Sequence, residues 1–222
     1  FISNSAEPAG SSYAQRVVVS DLAFQFAAGQ TTGNALIRLT NCRGVEITRC
    51  YFKGFTTTNA YGVDVSDNCM EVQITDCHFN LLAKGVQFKN ASTSFCKVVG
   101  STFLSCDTSV DMNGAPTFCS ASRCYMKGPT TGFGVDCDGK YCTVLGCTIE
   151  AHGIGVRIKT GTLVTGNAIN DNVILSSATY AVQLQASTTK NLVDGNVLTL
   201  SGTSATNDSG TANTITAENV TT

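Results

Sequence analysis

Apolar residues return along this chain in a fixed phrase. Val45–Phe52 reads VEITRCYF and Val72–Phe79 reads VQITDCHF, with apolar residues first, third and eighth, a small residue sixth, and free choice at the fourth and fifth positions. Each half alternates with the period of a strand that buries one face. The same frame fits Val17–Phe24, Cys96–Phe103, Cys119–Met126, Cys142–Ile149, Thr162–Ile169 and Asn191–Leu198, at spacings of 28, 27, 24, 23, 23, 20 and 29 residues, and a weaker copy at Thr214–Thr221 closes the series. Between octets lies a second apolar pair: Ile37/Leu39, Val63/Val65, Val86/Phe88, Val110/Met112, Val135/Cys137, Val156/Ile158 and Val182/Leu184. Three short strands per repeat and no helical run predict an all-β fold, a single-stranded parallel β-helix of about eight coils of 20–29 residues.

One coil cannot bury its own apolar side chains, so the coils must stack, about 4.8 Å apart. Stacking predicts one inward column of Val19, Ile47, Ile74, Val98, Ala121, Val144, Val164 and Val193, and another of Phe24, Phe52, Phe79, Phe103, Met126, Ile149, Ile169 and Leu198. Residues 1–16 read as an arm or cap, 17–200 as the solenoid, and 201–222 as a polar tail with a last strand that caps the open end or pairs with another chain. Ala27–Asn34, rich in Gly and Thr, reads as a loop.

Composition narrows the partners. In 222 residues there are only 14 Lys and Arg against 16 Asp and Glu, a net charge of −2, with no basic stripe for a nucleic-acid backbone. No apolar run approaches the roughly 18 residues of a membrane span. The opening FISNSAEPAGSS lacks an initiator Met and a signal-like apolar region, the mark of a processed or excised piece.

The eleven cysteines fall on the repeat. Cys50, Cys77, Cys124 and Cys147 share one column, with Ser101 between them and Asn167, Asn196 and Asn219 continuing it; Cys96, Cys119 and Cys142 share another with Val17, Val45 and Val72. Interchange with Val, Ser and Asn is the behaviour of small buried thiols, and predicts free cysteines and a reducing place of assembly. No CxxC pair or Cys/His cluster occurs, so neither a metal nor another cofactor is expected.

If the valines of the second motif face inward, the residues after them form an outward ladder: Asp64/Ser66, Gln87/Lys89, Asp111/Asn113, Asp136/Asp138, Arg157/Lys159 and Gln183/Gln185. Asp111 and Asp136 then lie one coil apart, roughly 5 Å, and Asp136 and Asp138 about 7 Å apart along a strand. Paired carboxylates at such separations can serve as acid and base in glycoside cleavage, which makes Asp111, Asp136 and Asp138 the catalytic candidates. The competing reading pairs Asp136 and Asp138 with Arg157 and Lys159 as ion pairs on a solvated face. Tyr51, His78, Thr102, Tyr125 and Thr148 form a second outward ladder whose tyrosines can stack on sugars or pack on another subunit. Phe133 and Tyr180, two residues before their inward Val, read as packing residues.

The octets VVVSDLAF and VEITRCYF, with GV motifs between them, resemble the right-handed parallel β-helix of the pectate-lyase-like superfamily over most of residues 17–220. That superfamily includes pectate lyases, polygalacturonases and bacteriophage tailspikes and tail fibres, and the handedness is taken from this resemblance. GVRIKTG at Gly155–Gly161 is similar to the polygalacturonase Arg-Ile-Lys segment, which implies that Arg157 and Lys159 contact substrate. The other polygalacturonase segments are missing, and only Ala151-His152-Gly153 echoes Gly-His-Gly, out of place relative to Arg157. As a whole the chain resembles a phage spike. The resemblance implies a homotrimer in the virion, in contact with other virion proteins, that recognises and in some members degrades a bacterial surface polysaccharide. Asp64, Tyr51, Tyr125, Arg157 and Lys159 are then the expected binding residues. Two further readings stay open: a non-catalytic structural part of the virion, and a secreted lyase or hydrolase, the latter requiring oxidised cysteines.

Overall fold

The structure is a computed structural model and describes residues 2–3, 14–15, 17–27, 34–55, 60–160, 164–199, 202–216 and 219–221. Most of the expected arm at 1–16 and of the loop at 27–34 lies outside them. Among the described residues every regular element is a strand, and the strands build three parallel sheets of nine and one two-stranded parallel sheet of Ala14–Gln15 and Cys42–Arg43. The first half of each octet enters one sheet, called II here (Val18–Ser20, Glu46–Thr48, Gln73–Thr75, Lys97–Val99, Ser120–Ser122, Thr143–Leu145 and onward). The second half enters sheet III (Ala23–Gln25, Tyr51–Lys53, His78–Asn80, Thr102–Leu104, Tyr125–Lys127, Thr148–Glu150 and onward). The motif between octets forms sheet I (Asn34–Thr40, Ala60–Ser66, Lys84–Lys89, Thr108–Asn113, Phe133–Cys137, Ile154–Ile158, Tyr180–Leu184, Ser204–Asp208), to which Ile2–Ser3 adds a rung. Each coil runs through II, III and I, and the chain is a β-solenoid of about eight turns.

The free fifth position of the octet explains how a strand pair turns a corner in one residue. Asp21, Arg49, Asp76, Arg123 and Asp171 occupy it with φ between 49° and 58°, and Gly100, Gly146 and Gly195 with φ of 61°. A single left-handed residue breaks the alternation, so the third and the sixth positions both face inward. The sixth must be small because it fills the corner. Asp and Gly tolerate this backbone region best; Arg49 offsets part of the cost with a bidentate pair to Asp21 at 2.7 and 2.8 Å on the neighbouring coil.

The core is a stack of like residues. Val19, Ile47, Ile74, Val98, Ala121 and Val144 pair in register, as expected. So do Phe24, Phe52, Phe79 and Phe103, whose rings stack at 5.1, 4.8 and 4.7 Å, followed by Met126 and Ile149. The seventh coil differs from the expectation. Val144 pairs with Ile169, and Ile149 with Ile174, so the octet is Asn167–Ile174 rather than Thr162–Ile169. The spacings on either side of it become 25 and 24 residues, and the expected 20 and 29 disappear. Asn167 therefore continues the Cys96, Cys119, Cys142 column, and Asn172 the other one.

Asparagine can replace cysteine because each amide is satisfied along the axis. Asn196 Oδ1 accepts from the Asn172 backbone N–H and Nδ2, both at 2.9 Å, while Asn196 Nδ2 donates to Ile169 O at 2.8 Å. Asn167, Asn191 and Asn213 repeat the pattern in the other column. All eleven cysteines are buried, and none forms a disulfide. Burial pushes the thiols of Cys69 and Cys106 up to about 12. Past residue 200, Ser204–Asp208, Thr214–Ile215 and Val220–Thr221 add a rung to all three sheets.

Candidate functional site

The outward row on sheet I forms in the expected register: Arg38, Asp64, Gln87, Asp111, Asp136, Arg157 and Gln183 stand side by side. It is not a solvated face. Asp64, Gln87, Asp111 and Asp136 are only 4, 3, 2 and 5% exposed, because long neighbouring side chains fold over them. Arg38 Nε reaches Asp64 at 3.1 Å, and Lys84 Nζ reaches Asp111 at 2.5 Å. Gln87 Nε2 donates to Asp111 at 2.8 Å. Arg157 grips Asp136 with two bonds of 2.8 and 2.9 Å, its guanidinium 3.8 Å from the Phe133 ring centroid. Lys84 lies over Tyr61 at 5.2 Å.

Lys159 joins the two carboxylates, at 2.8 Å from Asp136 and 3.6 Å from Asp111. Burial by itself would lower the Lys159 pKa, but Asp136 and Asp111 together outweigh it and hold the ammonium above the ordinary lysine value. Asp111 Oδ1 and Asp64 Oδ1 are buried, and among the described residues no hydrogen bond is donated to either.

The remaining expected residues lie elsewhere. Asp138 follows the end of its strand and pairs with neither Arg157 nor Lys159; its Oδ1 accepts the N–H of Ala115, a left-handed residue with φ of 62°. It caps a turn. Tyr51 and Tyr125 belong to sheet III and share no face with the aspartates. Tyr51 stacks on His78 at 5.1 Å, and the Tyr125 hydroxyl donates to Glu150 at 2.8 Å, which raises the phenol pKa. His152 is fully buried, its Nε2 3.5 Å from Ser109 Oγ and its Nδ1 without a hydrogen-bond partner among the described residues. Burial lowers its pKa to about 4.

Sequence reasoning passed over a row of rings at the corner between sheets I and II. Phe95, Phe118 and Tyr141 are 52, 49 and 50% exposed, and their rings stack in parallel at 5.1 and 5.2 Å along the axis. Each takes the left-handed corner position just before its octet, with φ of 53–55°. Beside them run the polar rungs Lys97, Ser120 and Thr143. The signal was present as an aromatic residue directly before Cys96, Cys119 and Cys142, outside the octet frame.

No family model and no curated protein matches the sequence. Solved structures match the fold. The N-terminal fragment of bacteriophage Phi29 gene product 12 superposes with a TM-score of 0.71 at 12% identity, over 91% of this chain and 39% of that one. A tailspike protein of E. coli bacteriophage HK620, in complex with a pentasaccharide, gives 0.70 at 13% identity, over 94% and 43%. The catalytic unit of an α-1,3-glucanase from Streptomyces thermodiastaticus gives 0.63 at 12%, over 86% and 47%. The fold is thus that of tailspike-like and glycosidase β-solenoids, and the chain spans about two fifths of the length of the two phage proteins.

Proposed function

We propose that this chain is the β-helical part of a phage tail protein, carried on the virion, that binds a bacterial surface polysaccharide along its solenoid. The observation that carries this reading is the exposed axial row of Phe95, Phe118 and Tyr141 beside hydroxyl and ammonium rungs, since aromatic surface next to hydrogen-bonding groups suits a sugar chain. Similarity of fold to a tailspike solved with a pentasaccharide supports it. Binding without cleavage is favoured, because Asp111 and Asp136 are covered by Lys84, Lys159 and Arg157, and a sugar cannot reach them while these cations stay in place.

The juxtaposition of Asp111 and Asp136 on neighbouring rungs favours a second reading: a depolymerase in which they act as acid and base with Arg157 and Lys159 at the substrate. One experiment separates the two. Purified chain is mixed with a panel of capsular and O-antigen polysaccharides, and binding and polymer length are followed together. The expected result is retention of one polymer at unchanged length, on a homotrimer by sedimentation. Shortening that Asp136→Asn abolishes would establish the second reading, and a panel with no binder would sink both.

A further inference from the structure

The outward row of sheet III carries a gap in its rings. Tyr51, His78, Thr102, Tyr125 and Thr148 stand in register along the axis. Tyr51 and His78 stack at 5.1 Å, one ring per rung, and the next ring, Tyr125, stands two rungs beyond His78 with Thr102 between them. With rungs about 4.8 Å apart, His78 and Tyr125 face each other across about 9.6 Å, over a side chain too short to fill the space. All three residues are half-buried, so the space opens to solvent. Thr148 repeats the small residue, but Val173 follows it, and there only one wall is a ring. Both walls at Thr102 are held from behind. Tyr51 backs His78, and the Tyr125 hydroxyl donates at 2.8 Å to Glu150, which belongs to the rung on the side away from Thr102. On the corner side the rung of Thr102 carries Gly100, with φ of 61°, and no side chain shades the opening there. Asp76 leans over that glycine, its Oδ1 2.6 Å from where a Cβ would stand.

We infer that the space over Thr102 is a slot for one pyranose ring of gluco configuration, held between His78 and Tyr125. The inference adds a second contact, on sheet III, to the exposed ring row, and it rests on the proposed function for the polymer to which that sugar belongs. A ring inserted at the level of Thr102 lies about 4.8 Å from each wall. Carbon atoms in contact approach to about 3.5–4.0 Å, so a planar ring leaves slack on one side, whereas a pyranose has C–H bonds standing out from both faces. Having two walls also fixes the configuration. In a β-glucoside every hydroxyl is equatorial and both faces of the ring are C–H. The axial hydroxyl of a galactoside or mannoside is pressed against one wall, where it loses water and gains no partner. The equatorial hydroxyls point to the edges of the slot, toward the Thr102 hydroxyl and the Asp76 carboxylate. Burial lowers the His78 pKa, which keeps the imidazole neutral at pH 7. Because both walls are fixed before the sugar arrives, little side-chain entropy is lost on binding.

The test titrates the full chain with methyl β-D-glucopyranoside, and with methyl β-D-galactopyranoside and methyl α-D-mannopyranoside as axial controls, followed by NMR. The glucoside is expected to shift the His78 and Tyr125 ring resonances, and each axial control to bind about tenfold more weakly. His78→Ala and Tyr125→Ala each weaken the glucoside about tenfold. Thr102→Tyr is the sharper variant, because its ring completes the stack and fills the slot: binding is lost while the melting temperature, measured alongside, is kept or raised. Equal binding of the three sugars, or glucoside binding that survives Thr102→Tyr, overturns the slot. So does a wild type that binds no glycoside; if that chain still retains a whole polysaccharide, the proposed function stands without the slot. A chain that binds the glucoside as expected and retains no polysaccharide keeps the slot and removes the proposed function.

Discussion

His152 and Asp136 show how single residues here serve the fold before any chemistry. Because burial lowers the His152 pKa from 6.5 to about 4, the unfolded chain takes up its proton first. Stability is therefore untouched by this residue above pH 6.5 and declines as pH falls from 6.5 toward 4, by roughly 3 kcal/mol in all. Urea titrations at pH 7 and pH 4.5 are expected to show that His152→Gln has a flatter acid limb than wild type, whatever its stability at neutral pH. A close contact adds a second check: a Cβ on Gly128 would lie 2.0 Å from His152 Cε1, so Gly128→Ala must push the imidazole out of its site. Asp136→Asn removes the carboxylate that Arg157 grips and leaves Lys159 with Asp111 at 3.6 Å in a covered site, at a cost of about 3 kcal/mol. That loss appears in thermal melts with no ligand present, and an unchanged melting temperature would mean that the ladder is not held as described.

At the scale of one strand or corner, the repeat was readable where identical chemistry recurs and was lost where the chemistry changes. Phe52, Phe79 and Phe103 announce their column by being alike, and Phe79→Ala, which empties the middle of a ring stack with no exposed surface, is expected to cost about 3–5 kcal/mol in denaturant unfolding. Asn167 and Asn172 hid the seventh octet, because a polar residue in a core position looks like a loop until its bonds along the axis are seen. Asn172→Ala should accordingly cost several kcal/mol, since it strips the acceptor from the buried Cys147 N–H and the donor from Val144 O. Asp64, Asp111 and Asp136 were placed on the right row, yet their burial could not be read from the strand pattern. It depends on how far Lys84, Arg157 and Lys159 reach across neighbouring rungs. The ring row was missed for a related reason: corner residues have no alternation, so periodicity is blind to them.

In the molecule as a whole, each coil touches only the coils beside it, and stability is a sum over neighbours with the ends held on one side only. Hydrogen exchange is expected to be slowest in the rungs from Gln73–Thr75 to Thr143–Leu145 and fastest at Thr214–Ile215 and Val220–Thr221; uniform protection would contradict a linear stack. The same arrangement gives the buried cysteines an unplanned use. From Cys42 to Cys147 every coil hides between one and three thiols from reagent, and no cysteine follows Cys147. A thiol-trapping reagent added for a short pulse can react only where a coil has come off the stack. The order in which the eleven sulfurs become labelled would thus record, position by position, the route by which the spiral unwinds.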